Sequence, residues 1–348
     1  MDNTQPGATD TIEPPGPPGE DTSSMTTLQR IQHVLHTRAT LGPAIVLLLS
    51  LIVFSIVADN FLQPSNISLI IQQVMVVGTL AIGQTLIILT AGIDLSVGAI
   101  MVLSSIMMAK LSADAGVPGL LALLIGFAVG LLCGLINGLL VTRIKLPPFI
   151  VTLGTLNVFF ALNLYISQSE TVRGRDMDPL LLWTGNVIEI GGARVTYGAI
   201  LMLLLFALMA FILKWTMWGR HVYATGDDRE AARLSGIRTD RVLLSVYVVA
   251  GLIYAVAAWI LIGRIAAASP QAGLTANLDS ITAVVIGGTS LFGGRGRILG
   301  TLLGALIVGV FRNGLQLAGI DELWQNFAVG VLVLVAVAID QWIRRARA

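Results

Sequence analysis

The sequence predicts an all-α polytopic membrane protein of about ten spanning helices, on three observations. Of its 348 residues, 55% are hydrophobic and only 12% charged, where a soluble domain carries about 25% charged residues. The mean hydropathy is +0.85. The apolar residues fall into repeated runs of roughly 14 to 25, near the length a helix needs to cross a bilayer. Basic residues also segregate to alternate connections between those runs, as the positive-inside rule requires. The net charge of +1 gives no reason to expect nucleic acid, and the single cysteine, Cys133, lies inside an apolar run. Neither an internal disulfide nor a cysteine-based metal site is available.

Residues 1–26 are rich in Pro, Gly, Asp and Thr and include PPGPPGE at 14–20. Such a tail cannot bury enough apolar surface to offset its ordering entropy, so it is expected to be a disordered cytoplasmic tail. It lacks the basic leader and apolar core of a signal peptide. The transmembrane region, 27–348, begins with a span at 41–58 and a polar turn at 59–66. A second run, 67–90, is broken at 91–96 (AGIDLS) and resumes over 97–109, so some helices are expected to be discontinuous. A fourth span covers 117–141 and ends at Arg143, Lys145 and the Pro147–Pro148 pair; a fifth covers 149–166. A polar loop, 167–194, precedes a sixth span at 195–213. After the polar stretch 219–241, spans follow at 242–262, 278–291, 298–315 and 323–343.

With the N-terminus inside, the inner connections carry 15 of the 21 basic residues. Both termini and the 219–241 stretch are therefore expected in the cytoplasm, and the 167–194 loop outside. Gly92, Leu95 and Gly98 also recur 196 residues later as Gly288, Leu291 and Gly294. Both sets sit at glycine-rich breaks after apolar runs, which hints at a parallel repeat, although three matches are no more than chance explains.

No energy source is visible. The lysines Lys110, Lys145 and Lys214 precede Leu, Leu and Trp, so no Walker-type phosphate loop exists. The histidines His33, His36 and His221 all lie near the predicted cytoplasmic surface, and nothing resembles a nucleophile–base pair. An enzyme is not expected. Ionisable groups within or beside the spans reduce to Asp94 at the break, Asp279 and Arg312. Asp94 is read first as a helix cap, with Ser96 as a rival cap, and second as a substrate contact. Asp279 and Arg312 are read as interfacial. Uncharged polar residues lie in or near the apolar runs, Gln73, Thr85 and Gln316 among them, and the amides carried forward are Gln72, Gln84, Asn137, Asn157, Asn163 and Asn313. With Asp94 they are candidates for a pathway that admits a neutral polar solute, each also explicable as an interhelical hydrogen bond.

The 219–241 stretch, GRHVYATGDDREAARLSGIRTDR, contains the signs of one short helix. Asp227 or Asp228 can cap it, Asp227 with Glu230 has capping-box spacing, and Gly236 suits its left-handed end. The helix is expected over 228–235. Ala231 and Ala232 would let a partner approach closely, flanked by Arg229 and Arg233 one turn apart, as in a helix docked into a groove.

Two segments resemble a known family. GRHVYATG at 219–226, continuing through AARLSGI at 231–237, is similar to the cytoplasmic coupling loop of sugar ABC importer permeases of the ribose, xylose and arabinose type. TAVVIGGTSLFGGRG at 282–296, followed by ILGTLLGA at 298–305, resembles that family's C-terminal glycine motif, with weaker matches at 90–98 and 146–156. The resemblance implies a type II ABC importer-like fold and a non-catalytic permease subunit. It also implies a homodimer in the bacterial inner membrane that transports a monosaccharide delivered by an extracytoplasmic binding protein. ATP and magnesium would be used by a separate ATPase subunit. The coupling residues it implies are Gly219, Tyr223, Gly226, Asp228, Arg229, Glu230, Ala231, Ala232, Arg233, Ser235 and Gly236. The structural glycines are Gly287, Gly288, Gly293, Gly294 and Gly296. A permease for nucleosides or branched-chain amino acids, or a self-sufficient secondary transporter, remains the alternative.

Overall fold

The computed structural model describes residues 40–273 and 275–345; the tail predicted at 1–26 lies outside them. Ten apolar helices carry the fold among the described residues. They are α1 (Leu41–Val57), α2 (Pro64–Leu89), α3 (Val97–Ala113), α4 (Gly119–Thr142), α5 (Pro148–Ser167), α7 (Tyr197–Trp215), α10 (Thr239–Ile265), α11 (Ala276–Ile286), α12 (Ile298–Leu317) and α13 (Glu322–Arg345). Six are long and apolar enough to cross a membrane, and α1, α3 and α11 are shorter. The short polar-side helices are α6 (Pro179–Leu182), α8 (Met217–Asp227) and α9 (Arg229–Leu234).

Proline starts several of these helices where a missing N–H costs nothing: Pro64 opens α2 and Pro148 opens α5. α2 is apolar on all sides and is accordingly buried over most of its length, from Val74 to Leu89. With α10 it forms the centre, while α5 and α7 keep much of their apolar surface on the outside, as lipid-facing helices do. The tightest helix pair is α4 against α10. Gly130 and Gly134 of α4 face Gly251 and the Tyr247 backbone of α10 so closely that an added Cβ would overlap a carbonyl oxygen. Small residues permitting backbone approach are how membrane helices pack without a hydrophobic driving force.

Two helices are cut short. Eleven residues make α11 about 16 Å long, half the hydrocarbon thickness. The predicted span at 278–291 thus ends early, at Gly287. The segment 90–96 between α2 and α3 is irregular yet buried: the Ile93 carbonyl accepts from Thr152 Oγ1 (3.1 Å) and Asp94 is 1% exposed. Irregular backbone at this depth is tolerated because protein surrounds it. The fold corrects the reading of Asp94 as a cap. Its Oδ1 accepts from the Ser96 amide (2.8 Å) and hydroxyl (2.6 Å), a local turn, while the cap position of α3 is Ser96, which makes no side-chain capping bond.

The 167–194 stretch is not a plain loop. β1 (Val172–Arg173) pairs antiparallel with β4 (Ala267–Ala268), stitching it to the end of α10. β2 (Val187–Ile190) and β3 (Ala193–Thr196) form a hairpin across Gly191–Gly192. Asp178 caps α6 at Leu180 (2.9 Å) and also accepts from the Gly119 amide (3.0 Å). Trp183 stacks on Trp259 at 5.6 Å.

Candidate functional site

The polar stretch holds two helices rather than one. The sequence reading treated 219–227 as loop, but Thr216 caps α8 at the Gly219 amide (3.1 Å), and α8 runs to Asp227. Its inner face carries Val222 and Gly226, and Trp218 Nε1 donates to Ser245 of α10 (2.8 Å). Tyr223 donates to the Gly296 carbonyl (2.9 Å), and burial pushes its phenol above the usual value, so it stays a neutral donor at physiological pH.

Asp228, not Asp227, caps α9, accepting from Glu230 and Ala231 amides (both 2.9 Å). The capping box therefore does not form, and Glu230 instead pairs with Arg233 (2.6 Å). Arg229 reaches Asp240 (2.8 Å). The helix closes with Ser235 and with Gly236 at φ +88°. Ala231 faces outward, but Ala232 turns into the protein and cannot meet a partner. Leu234, which the sequence reading passed over, is 80% exposed at the end of α9. An isolated polar-side helix of six residues with one large apolar side chain projecting has the form of a docking knob.

The glycine motif connects this surface to the bundle. Gly288, Gly293, Gly294 and Gly296 all hold positive φ, while Gly287 lies at an ordinary φ of −65° against the α12 backbone at Gly300. Gly294 N donates to the Leu89 carbonyl (2.9 Å), where α2 breaks. Gly226 lies in the same corner: a Cβ there would overlap the Leu89 oxygen and reach Gly294 N at 2.8 Å. Both breaks meet each other, and α8 seats on the joint between them.

Of the seven candidate pathway residues, Asp94, Asn137 and Gln84 meet through Ser96 and Tyr254, and the other four stand apart. Asp94, Ser96 and Asn137 form one chain of hydrogen bonds, with Asn137 Nδ2 donating to Ser96 Oγ (2.8 Å). Gln84 receives the Tyr254 hydroxyl at 3.5 Å. Asn163 donates to the Pro270 carbonyl (2.9 Å), and Asn313 exchanges two bonds with Asn66 (2.8 and 2.9 Å). Asn157 is exposed and bonds its own helix, and Gln72 is half-buried. None of them lines the cavity of about 380 Å³ between α2, α10, α11 and α12, whose polar wall is Gln73, Arg264, Thr275, Asp279, Arg312, Gln316 and Gln325. There Asp279 and Arg312, read from sequence as separate interfacial charges, form an ion pair at 2.6 Å with Asp279 buried. Among the described residues no three His, Cys, Asp or Glu side chains gather into a metal site.

A family profile described as branched-chain amino acid transport system / permease component matches residues 66–337. A fructose import permease of Rhizobium meliloti is 52% identical, with 94% of this chain and 92% of the relative aligned. A ribose import permease of Bacillus subtilis is 41% identical over 92% of this chain and 98% of its own. A D-allose transport system permease of Escherichia coli is 37% identical over 84% of this chain and 88% of its own. With its apolar helices this chain is a multi-pass membrane protein, and it belongs to the family of ABC transport permeases.

Proposed function

We propose that this chain is the permease subunit of an ATP-driven importer that admits a monosaccharide across the bacterial inner membrane. It works as a homodimer with both termini in the cytoplasm. An extracytoplasmic binding protein delivers the sugar, and a separate ATPase subunit hydrolyses ATP with magnesium. The observation that carries the reading is the position of Gly226, wedged between Leu89 and Gly294, which ties an exposed helix to the breaks of two spans. A chain with no phosphate loop gains a use for such a helix if another subunit moves it. The sugar comes from the relatives, whose names are fructose, ribose and allose permeases. The ATPase contacts are Asp228, Arg229, Glu230, Ala231, Arg233, Ser235 and Gly236, with Leu234 added to the residues expected from sequence.

The profile description favours a second reading, import of a branched-chain amino acid. Vesicles reconstituted with permease, ATPase and binding protein separate the two. Labelled D-fructose should enter only with internal ATP, and labelled leucine should not enter. Uptake of either solute without ATPase would sink the importer reading in favour of a secondary transporter.

A further inference from the structure

A second cavity, a cleft of about 560 Å³, opens where α4 ends and α10 begins, and its charged wall is Arg143, Arg233, Arg238, Asp240 and Arg241. Two of these charges already have partners: Arg233 pairs with Glu230, and Asp240 with Arg229. Arg143, Arg238 and Arg241 make no ion pair and no side-chain hydrogen bond among the described residues, and all three are exposed. Three uncompensated guanidinium groups on one cleft repel a cation and favour an anion. Their planar forks match the oxygens of a phosphate in particular.

An independent observation lies on α4 itself. Leu132, Ile136 and Leu139 are exposed at intervals of four and three residues, and Arg143 follows four further on. Arg143 keeps helical backbone angles at the end of α4, so all four side chains fall on one face of the helix. An outward apolar stripe about 16 Å long therefore ends on a guanidinium of the cleft. A soluble anion would use the arginines and leave the stripe bare, and an acidic protein surface could not follow the stripe into hydrocarbon. A molecule with a phosphate at one end and acyl chains at the other uses both. We propose that this corner binds an anionic phospholipid, its phosphate among Arg143, Arg238 and Arg241 and its chains along Leu139, Ile136 and Leu132. Such binding is independent of the importer reading, since it needs neither the solute nor the ATPase.

The test titrates full-length permease in non-ionic detergent with dioleoyl phosphatidylglycerol, with zwitterionic dioleoyl phosphatidylcholine and with inorganic phosphate, and reads bound adducts by native mass spectrometry. Phosphatidylglycerol should bind about 5-fold or more tightly than phosphatidylcholine. Arg143→Gln should weaken its binding about 5-fold, and the triple change of Arg143, Arg238 and Arg241 to Gln about 100-fold. Arg220→Gln, an exposed change on α8 outside the cleft, should alter it by less than about 2-fold. Equal affinity of the wild type for the two lipids would overturn the site without recourse to any variant. Equal weakening by Arg220→Gln would also overturn it, because the effect would then be one of overall charge. Inorganic phosphate that displaces phosphatidylglycerol at equal concentration would make this a free-anion site, not a lipid site. A triple variant that binds lipid as the wild type does, yet no longer co-purifies with the ATPase, would reassign the arginines to that partner. Sugar uptake in vesicles is not read here, so failure of the importer reading and failure of this site are distinct results.

Discussion

Leu234 offers the sharpest perturbation of the proposed ATPase contact. It ends α9 with 80% of its surface open, next to the exposed Ala231 and the Glu230–Arg233 pair. Fully burying a leucine side chain contributes about 1.5–3 kcal/mol, so docking the exposed four-fifths would contribute roughly 1.2–2.4 kcal/mol. Alanine retains about a third of that apolar surface, so Leu234→Ala should forfeit roughly 0.8–1.6 kcal/mol. The affinity of detergent-purified permease for its ATPase should then fall about 4- to 15-fold. Leu234 makes little contact within the chain, so size-exclusion behaviour and melting temperature should not change. The assay is an equilibrium titration of labelled ATPase with wild-type and variant permease. Wild-type affinity in Leu234→Ala would refute the assignment of α9 as the docking knob, because no other large apolar side chain on that helix is offered outward.

Glu230→Arg reverses one charge beside the knob; the pair it breaks is solvent-exposed and screened, so folding should survive while ATPase co-purification falls. Gly226→Ala places a Cβ against the Leu89 carbonyl, where backbone must shift; overpacking of this kind costs about 1–3 kcal/mol, read as a lower midpoint in a thermal-shift assay with impaired uptake. Tyr223→Phe deletes the bond to the Gly296 carbonyl and should cost about 0.5–1.5 kcal/mol in the same assay, equally at pH 6 and pH 8 because the buried phenol stays protonated across that range. Asp178 is held below the usual carboxylate value by the amides of Leu180 and Gly119. A depressed folded value stabilises above the unfolded pKa and is lost as pH falls through the folded one. Protection from hydrogen exchange across 172–186, relative to the intrinsic rate at each pH, should therefore fall as acid protonates Asp178, and Asp178→Asn should flatten that dependence.

What was legible in the sequence follows from constraints that act locally. Bilayer thickness dictates apolar runs of a given length, so every span was found within a few residues, apart from the early end of α11. The ends of α9 were legible because Asp228 and Gly236 act on their own neighbours. The remainder depends on contacts between distant residues. Nothing local distinguishes Ala231 from Ala232, yet packing turns only the second inward. The α8 helix looked like loop because its two glycines lower helix propensity, and its stability comes from Trp218, Val222 and Tyr223 meeting the bundle. Asp279 and Arg312 are 33 residues apart and become partners only when α11 and α12 fold back on each other. The amides chosen as pathway residues were chosen by depth alone, and depth does not say which face of a helix a side chain occupies.

The route by which a push on α9 would enter the membrane can be argued from the stiffness of its contacts. α9 touches α10 through Arg229 and Asp240, an ion pair more than half exposed on both sides and worth little. It joins α8 directly at Asp228, and α8 meets the two breaks through backbone: Gly226 on Leu89, and Asp227 on Gly294. Side chains can rotate out of the way of a small displacement, but apposed backbones cannot. Movement of α8 is therefore carried into the 287–297 segment, whose positive-φ glycines hold one specific path between α11 and α12. Those two helices carry Asp279 and Arg312, whose pairing sets the shape of the cavity wall. On this argument the glycine loop is the mechanical link and the ion pair its far end. Weakening the loop should uncouple ATP hydrolysis from uptake while leaving ATPase docking at Leu234 untouched.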